Sequence, residues 1–375
     1  MQFIDLKAQY RALKEEINAN IQAVLDTGVF IGGPYVKELE EKLASYVGRN
    51  HCITCANGTD ALQIAFMVAG IGAGDAVFCP DMTFISSTEP AKMFGATSVF
   101  CDITPDTYCL CPQSLERQIQ AVLAEGKLIP KAVVGVDILG NPCDHETISG
   151  ICEKYNLLFI EDAAQSFGAE AHGRKSCSFG QISTTSFFPA KPLGCYGDGG
   201  AIFTDDDHLA DVMRSICVHG KGPGGKYNNI RVGVNSRLDA IQAAILLPKF
   251  KALQEYELEA RQTVAQRYDH VFSDHFTTPF VAEGCVSAYA QYALLAKDRN
   301  QRDAIIRHLS EVGIPNMVYY PTPQHALPVF QGEPTYGETF QNADDYCSRT
   351  FSLPMHPYLD ENEQDKVIKA VLEAL

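Results

Sequence analysis

The chain has 375 residues, 46% hydrophobic and 20% charged, a composition typical of a globular protein and not of a disordered, collagen-like or coiled-coil chain. Its 30 basic and 46 acidic residues give a net charge of −16, which argues against a protein that binds along a nucleic-acid backbone. At about 100 to 200 residues per domain, the length predicts roughly two or three domains.

The 13 cysteines are an odd number without regular spacing, and residues 1–10 do not resemble a secretion signal. We therefore expect a reducing cytoplasm and no disulfide framework. Cys52-x-x-Cys55 and Cys109-x-Cys111 lack a second ligand pair at a spacing that suits zinc, so we predict buried thiols and no metal site. The longest apolar runs are shorter than the ~20 residues that cross a bilayer, and we expect a soluble protein without a membrane partner.

Two amphipathic helices are predicted first, at residues 12–25 and 36–47, outside the main sheet. Short apolar runs then alternate with helical patterns between residues 50 and 205. The runs lie at 51–55, 76–79, 98–102, 132–136, 157–160 and 201–204. This alternation predicts an α/β fold whose mostly parallel central sheet is sandwiched by helices, with ligands bound at the carboxyl ends of the strands.

The C-terminal part of the chain mixes strands and helices. Residues 238–260 are predicted to form one long helix or two in succession, and residues 301–312 form another helix. We therefore divide the chain into residues 1–250, with the N-terminal helices and a large α/β domain, and residues 251–375, a smaller α+β domain.

A glycine-rich segment at residues 220–226 matches both a dinucleotide-binding pattern and the start of a phosphate-binding loop. It follows a helical pattern instead of a strand, contains Pro223, and has no Ser or Thr after Lys226. We therefore reject both nucleotide motifs, and with them an oxidoreductase that binds a dinucleotide. A mobile loop is predicted.

The loop after the first apolar run can bind an anion. Gly58 allows close approach of the backbone, Thr59 adds a hydroxyl donor, and the start of the next helix offers free N–H groups and the positive end of its dipole. An ordinary helix start, in which an Asn-Gly turn is followed by a Thr or Asp cap, has the same sequence, so this loop alone does not decide the function.

Two further loops contribute a carboxylate and an amine. Asp162 ends a buried strand, where a carboxylate is unfavourable unless it pairs with a cation or caps a helix. Lys191 lies between Pro189 and Pro192, which predicts a fixed turn where a partly desolvated lysine can bond to an aldehyde. A surface lysine is the alternative for Lys191 considered alone.

These three loops together match the needs of one cofactor. Pyridoxal phosphate requires N–H and hydroxyl donors for its phosphate, a carboxylate for its pyridine nitrogen, and a lysine for its aldehyde. The order of the Gly58 loop, Asp162, Ser186 and Lys191 supplies each of these groups.

With these residues, the chain resembles the DegT/DnrJ/EryC1/StrS family of nucleotide-sugar aminotransferases almost from end to end. The motifs are F-I-D-L at 3–6, G-T-D-A-L at 58–62, E-D-A-A-Q at 161–165, the segment 186–200, and V-N-S-R-L-D at 234–239. The resemblance implies a fold-type I pyridoxal-phosphate-dependent transferase. It also implies an aminotransferase that takes its amino group from L-glutamate, releases 2-oxoglutarate, and converts a nucleotide-linked ketosugar to an aminosugar.

The resemblance also implies a set of residues that contact pyridoxal 5'-phosphate, namely Gly58, Thr59, Phe84, Asp162, Gln165, Ser186, Lys191 and Asn235. Lys191 and Asp162 would be catalytic, because Lys191 bonds to the aldehyde and moves the proton, and Asp162 pairs with the pyridine nitrogen. Gln165 would contact the ring hydroxyl, and Phe84 would stack on the ring.

The phosphate would be held from both subunits of a dimer. Gly58, Thr59 and Ser186 would contact it within one subunit, and Asn235 would reach the phosphate of the neighbouring subunit. Because family members are dimers with shared active sites, the resemblance implies a homodimer.

Within the family, residues 230–235 and 353–358 resemble transaminases that act on UDP-2-acetamido-2-deoxy-3-oxo-glucuronate in bacterial surface-polysaccharide pathways, such as lipopolysaccharide O-antigen synthesis. Arg231 would bind a sugar carboxylate or a diphosphate, or form a structural ion pair. Tyr319, Tyr320 and His325 are the other predicted sugar contacts. Many relatives have a His-Tyr pair where this chain has Tyr319-Tyr320, a departure that would suit a different ketosugar.

Three alternatives remain open in the sequence. One is an aminotransferase for another UDP- or dTDP-linked 3- or 4-ketosugar. A sugar dehydratase of the same family would carry a histidine in place of Lys191, so the lysine argues against it. The third is a non-catalytic regulatory or sugar-binding homologue, which the intact set of cofactor residues disfavours.

Overall fold

The structure is a computed structural model that describes residues 1–225 and 227–375, so Lys226 of the glycine-rich segment lies outside the described residues. The helices are α1 (Leu6–Thr27), α2 (Pro34–Val47), α3 (Gly58–Val68), α4 (Glu89–Met93), α5 (Pro112–Glu125), α6 (His145–Tyr155), α7 (Asp207–Ile216), α8 (Ala240–Ala252), α9 (Leu258–Phe272), α10 (Arg299–Glu311), α11 (Gln341–Arg349) and α12 (Glu361–Glu373). The strands are β1 (His51–Cys55), β2 (Asp75–Pro80), β3 (Thr97–Cys101), β4 (Ile129–Val136), β5 (Leu158–Asp162), β6 (Glu170–Ala171), β7 (Arg174–Lys175), β8 (Ile182–Ser186), β9 (Gly200–Thr204), β10 (Cys285–Val286), β11 (Tyr292–Leu295) and β12 (Thr350–Leu353).

The central sheet has seven strands in the order β1-β9-β8-β5-β4-β2-β3. Strand β9 is antiparallel to both of its neighbours, and the remaining neighbouring pairs are parallel. The predicted α/β class with a mostly parallel sheet is therefore confirmed. The sequence missed β8, which reads I-S-T-T-S and lacks the apolar character of the other strands.

Helices cover both faces of this sheet, as the alternation of side chains in β1 illustrates. Ile53 and Cys55 join a core with α3, α5 and α6, whereas Cys52 joins a second core with α2 and α8. Successive side chains of a strand point to opposite faces, so β1 and β9 contribute to both cores. The sheet is thus a buried central layer, and the polar loops lie where its strands end.

The N-terminal helices contain the predicted ranges, but α1 begins six residues earlier, at Leu6. Asp5 caps it by accepting a hydrogen bond from the Ala8 N–H at 2.8 Å, and Gly28 ends it in a left-handed conformation with φ 66°. Helix α1 packs against α8. The cap holds residues 3–6 beside the C-terminal part of the chain, where the Met355 N–H donates to the Phe3 carbonyl.

Helices α8 and α9 follow one another through a single π-helical turn, Leu253–Glu257. Beyond it, α9, α10, α12 and the antiparallel pair β11 and β12 enclose a core that includes Tyr268, Leu309 and Phe351. We propose the division near residue 250 on this basis, at the last turn of α8.

Within the described residues, no helix combines the length and the apolar character that crossing a bilayer requires. The described cysteines are free thiols, with Cys52, Cys55 and Cys109 buried and Cys111 partly exposed. The glycine-rich segment follows helix α7, and its described part contains a bridge between Lys221 and Asn229. Its predicted mobility stays a prediction.

Candidate active site

The carboxyl ends of β1, β2, β4, β5 and β8 lie at one edge of the central sheet, because β9 alone runs in the opposite direction. The loops that follow these strands contain the Gly58 turn, residues 81–88, residues 137–141, Asp162 and Ser186. Ligands of open α/β sheets bind at this edge. Most of the predicted site residues therefore share one region of the fold.

Gly58 and Ser186 touch where α3 begins beside the end of β8. A Cβ atom added to Gly58 would lie 2.7 Å from the Cβ of Ser186, so only glycine allows this approach. Asn57 caps the helix, since its Oδ1 accepts from the Asp60 N–H at 2.8 Å. The first turn of α3 therefore directs unpaired N–H groups at the end of β8.

Hydroxyl groups surround this helix start. Thr59 Oγ1 lies 2.8 Å from Ser86 Oγ, and Ser186 Oγ accepts from the Phe188 N–H at 3.2 Å. N–H groups and hydroxyls of this kind are the donors that a phosphate requires. The sequence analysis missed Ser86, although the hydroxyl-rich run T-F-I-S-S-T at 83–88 directly after a predicted strand could have indicated it.

Asp162 is a buried carboxylate at the end of β5, with 4% of its surface exposed. Its Oδ2 accepts from Ser87 Oγ at 2.6 Å, and its Oδ1 accepts from the Ala164 N–H at 3.1 Å. Burial raises the pKa of Asp162, and these hydrogen bonds and the charge of Lys191 oppose the rise. The sequence analysis missed Ser87 as well.

Lys191 lies in the turn after β8, as the two prolines predict. Its backbone N–H donates to the Phe188 carbonyl at 2.8 Å, and a Cβ added to Gly194 would lie 2.5 Å from the Pro189 carbonyl oxygen, so the turn is closely packed. Burial lowers the pKa of the Lys191 amine to about 8, and the negative charge of Asp162 opposes this effect. At neutral pH about a tenth of such an amine is in the nucleophilic free-base form.

Gln165 connects the loop after β5 to Tyr320. Its Oε1 accepts from the Leu139 N–H at 2.7 Å, and its Nε2 donates to the Tyr320 hydroxyl oxygen at 3.1 Å. The ring of Phe84, which is 50% exposed, lies 6.0 Å from the Tyr320 ring. Burial raises the pKa of Tyr320, so its hydroxyl stays protonated at neutral pH.

His325 is held by Asp81 at the end of β2. Its Nδ1 lies 2.6 Å from Asp81 Oδ2, its backbone N–H donates to Asp81 Oδ1 at 2.8 Å, and its ring stacks on Phe340 with centroids 4.6 Å apart. The hydrogen bond to Asp81 raises the pKa of His325. Because this ring fixes the loop that carries Phe84, we interpret His325 as support for the site.

Of the other predicted residues, Tyr319 contacts this cluster through Tyr320, and two residues do not. The centroid of the Tyr319 ring lies 5.7 Å from that of Tyr320 and 6.2 Å from that of Phe3. Arg231 is partly exposed and Asn235 is exposed, and the described part of the chain gives neither side chain a hydrogen-bond partner that ties it to Asp162 or Lys191.

A buried trio, Asp137, Cys143 and His145, has the residue types of a metal site, with its ligand atoms within 4.8 Å of one another. The imidazole bridges the other two groups, because Nε2 lies 3.1 Å from Asp137 Oδ1 and Nδ1 lies 3.3 Å from Cys143 Sγ. Asp137 also accepts from Ser166 and Ser176 at 2.8 and 2.9 Å. We interpret the trio as a buried hydrogen-bond network.

The residues present fit pyridoxal phosphate in shape and chemistry. The Gly58 turn can receive a phosphate only because it lacks a Cβ, a buried carboxylate can pair with a pyridinium nitrogen, and a partly deprotonated lysine can bond to an aldehyde. Each of these groups projects from the same edge of the sheet.

Comparison with known proteins gives matches along the whole chain. Residues 11–372 match the model of the DegT/DnrJ/EryC1/StrS aminotransferase family. The UDP-2-acetamido-2-deoxy-3-oxo-D-glucuronate aminotransferase of Pseudomonas aeruginosa is 45% identical over 99% of both chains. A pleiotropic regulatory protein of Geobacillus stearothermophilus is 38% identical over 99% of this chain and 97% of its own length. The crystal structure of a DegT DnrJ EryC1 StrS aminotransferase from Brucella abortus superimposes with a TM-score of 0.96 at 44% identity, covering 100% of this chain and 99% of that one.

Proposed function

Because the chain belongs to the DegT/DnrJ/EryC1/StrS aminotransferase family, we propose that it transfers the amino group of L-glutamate to the keto carbon of a nucleotide-linked sugar. The substrate that we favour is UDP-2-acetamido-2-deoxy-3-oxo-glucuronate, since the relative from Pseudomonas aeruginosa that is named for this activity matches end to end at 45% identity. Another UDP- or dTDP-linked 3- or 4-ketosugar is the alternative substrate, and Tyr319 is the residue that favours it.

The observation that carries the proposal is the pair Lys191 and Asp162, at the edge of the sheet that also carries the Gly58 turn. Their charges interact, and burial perturbs both groups in the direction that reduces charge. Perturbed ionisable groups of opposite charge in a cleft are typical of active sites.

The cofactor is pyridoxal 5'-phosphate, whose protonated ring withdraws electrons from the carbon that carries the migrating amine. We assign Asp162 to the ring nitrogen and Gln165 to the ring hydroxyl, because both are buried and have fixed hydrogen bonds. Phe84 would cover one face of the ring.

The phosphate would be bound by the N–H groups and hydroxyls at the start of α3. Gly58 permits the approach, and Thr59 and Ser186 provide hydroxyls. Ser86 belongs to the same group of donors because it contacts Thr59 at 2.8 Å.

Lys191 moves the proton in both halves of the reaction. In its free-base form the amine would take the proton from the α-carbon of glutamate; one water is consumed as 2-oxoglutarate leaves, and the amino group would stay on pyridoxal phosphate. In the second half the same amine would deliver a proton to the sugar carbon to which the amino group bonds, and the carbonyl oxygen of the sugar would be released as water. A pKa of about 8 suits both directions near neutral pH, since neither protonation state is rare.

We propose a homodimer with shared active sites, in keeping with the resemblance to dimeric family members. The exposed Asn235 would reach the partner's phosphate site. Ile230 and Val232, on the same segment, are 54% and 82% exposed, as expected for apolar side chains that a second subunit covers. Arg231 between them would then contact the sugar carboxylate or diphosphate.

We place the protein in the cytoplasm, in bacterial surface-polysaccharide synthesis such as that of O-antigen. Free thiols throughout the described chain suit a reducing compartment. The assignment to polysaccharide synthesis follows from the substrate that we favour.

A non-catalytic regulator is the second candidate, because the relative from Geobacillus stearothermophilus is named a regulatory protein. The packed turn around Lys191 and the donors to Asp162 argue against it, because a perturbed pair of opposite charge at the ligand-binding edge of the sheet is typical of an active site.

The proposal is tested with the absorbance of purified protein loaded with pyridoxal phosphate, before and after L-glutamate, and then with each candidate ketosugar. We expect visible absorbance of the lysine-bound cofactor that glutamate shifts and one ketosugar restores. Lys191→Ala should lose this absorbance and reduce turnover by at least about 10²-fold, whereas Lys251→Ala, at an exposed position of α8, should retain both.

Turnover of Lys191→Ala near the rate of the unaltered enzyme would overturn the mechanism. A glutamate-induced shift that no ketosugar reverses would favour the regulatory alternative.

A further inference from the structure

A narrow cleft opens beside Lys191. It is bounded by the N-terminal segment with Asp5 and Gln9, by the turn with Lys191, and by Arg261, His356 and Tyr358 of the C-terminal part. The cleft therefore lies where the three parts of the chain meet, and it leads to the amine that performs the chemistry.

Two side chains in this cleft are buried and have nitrogen atoms without a hydrogen-bond partner. Arg261 is 3% exposed and His356 is 1% exposed. Among the described residues, the Nε of Arg261 and both ring nitrogens of His356 have no partner. Native proteins rarely leave such groups unpaired, because burial removes the water that would otherwise bind them.

The nearby carboxylates do not serve these groups. Asp5 accepts from the Ala8 N–H at 2.8 Å as the cap of α1. Glu257 accepts from Gln9 Nε2 at 2.9 Å and from the Tyr358 hydroxyl at 2.6 Å. Both are committed to partners of their own. Arg261 Nη1 donates to the Tyr289 carbonyl at 3.0 Å, so the groups left for a ligand are Arg261 Nε and the ring nitrogens of His356.

The charges indicate which ligand suits the cleft. Burial lowers the pKa of Arg261 to about 10, and the negative charge of Glu257 opposes this effect. Burial and the charge of Arg261 lower the pKa of His356 to about 4, so at neutral pH the imidazole offers one N–H donor and one acceptor. A guanidinium and a neutral imidazole together match an anion with two oxygen atoms.

We propose that this cleft binds a carboxylate group of the amino donor, with Arg261 and His356 as its hydrogen-bond donors. This inference rests on the proposed function, because it assigns a subsite to the same reaction. The amine of the donor must reach Lys191, and its carboxylates lie within a few bonds of that amine. The interior volume of the cleft is about 10 Å³, so it would receive a single carboxylate group at its solvent-facing mouth and not a nucleotide.

The decisive variant is His356→Leu. If His356 were only structural, replacing an unpaired buried imidazole with an apolar side chain would leave stability unchanged or improve it and leave ligand binding unchanged. If it binds a carboxylate, stability is retained while donor affinity falls. His308→Leu is the matched control, since His308 on α10 also has an unpaired ring nitrogen but lies away from the cleft.

The probe is glutarate, a five-carbon dicarboxylate without an amine, and its binding is measured by calorimetry on the cofactor-loaded protein. We expect His356→Leu and Arg261→Gln to weaken glutarate binding on the order of tenfold or more, and His308→Leu to have no effect. The glutamate concentration for a half-maximal shift in cofactor absorbance should rise by a similar factor, with the ketosugar concentration for the reverse shift unchanged in His356→Leu.

Unchanged glutarate affinity in both variants would overturn the inference. Weaker ketosugar binding with unchanged glutarate binding would also overturn it, because the cleft would then serve the sugar. Since glutarate binding requires no sugar, a failure of every ketosugar would count against the proposed function and not against the cleft.

Discussion

Replacing Ser87 with alanine tests how Asp162 is kept ionised. The Ser87 hydroxyl donates to Asp162 over 2.6 Å, and a second donor, the Ala164 N–H, lies at 3.1 Å. A hydrogen bond to a charged group contributes about 1.5 to 3 kcal/mol. At about 1.4 kcal/mol per pKa unit, its loss raises the pKa of Asp162 by about 1 to 2 units, because only the charged form is favoured by the donor. Burial already raises this pKa, so the variant brings protonation closer to neutral pH.

The assay is the affinity of the apoprotein for pyridoxal phosphate as a function of pH, followed by fluorescence quenching. Binding should weaken at low pH as Asp162 becomes protonated, and Ser87→Ala should move this acid limb upward by about 1 to 2 pH units. Ser86→Ala is the control, because Ser86 contacts Thr59 at 2.8 Å and should reduce affinity at every pH without moving the limb. An acid limb that stays in place in Ser87→Ala, or moves equally in both variants, would refute the reasoning.

Two further predictions concern the Gly58 turn and the buried ionisable groups Glu161 and His145. Gly58→Ala places a Cβ 2.7 Å from the Cβ of Ser186, so we expect the unfolding free energy to fall by about 1 to 3 kcal/mol and pyridoxal phosphate to bind more weakly. The control is Gly150→Ala in α6, where open space surrounds the added Cβ, and this variant should be more stable by about 0.5 to 1 kcal/mol. Equal melting temperatures of the two variants would contradict this prediction. Burial raises the pKa of Glu161 to about 7. For His145, burial lowers the pKa, but the nearby carboxylates of Asp137 and Glu161 outweigh it, so the pKa of His145 is raised. Both groups bind protons more tightly when folded, so stability should fall by roughly 1 to 3 kcal/mol as the pH rises from about 5 to 8, and Glu161→Gln should flatten this dependence in denaturant titrations.

The fold class was predictable because most strands are short runs that are apolar on both faces. Such runs are typical of a parallel sheet that is covered by helices on both sides. Strand β8 was not, because its buried threonines satisfy their hydroxyls through the backbone. Thr184 donates to the Glu161 carbonyl at 3.2 Å and Thr185 to the Ala163 carbonyl at 3.0 Å. A polar residue in a buried strand is tolerated when such a partner exists, and the sequence does not reveal the partner.

The boundaries of α1 show a signal that was present but not used. The Asp5 side chain precedes the helix as a cap, and an acidic residue at this position is a recognised start signal. The prediction followed the apolar spacing alone and therefore began the helix too late, at residue 12.

The residue types at the proposed site were predictable, but their supports were not. Asp162 and the Gly58 turn follow apolar runs directly, and Lys191 lies between two prolines, so local sequence identifies all three. Ser87 reaches Asp162 across 75 positions of the chain, and His325 reaches Asp81 across 244. Contacts at such separations depend on the order of strands in the sheet, which periodicity does not encode.

The position of Lys191 explains why the residues that hold the site in place matter for the proposed reaction. Lys191 interacts electrostatically with Asp162 and also lines the cleft that contains Arg261 and His356. A two-step transamination must bind two different substrates in turn at one amine. If the cofactor contacts come from the sheet edge and the donor contacts come from Arg261 and His356, the first substrate can leave without disturbing the groups that hold the ring. The separate responses of cofactor affinity in Ser87→Ala and of glutarate affinity in His356→Leu follow from this division, because no residue described here belongs to both sets except Lys191.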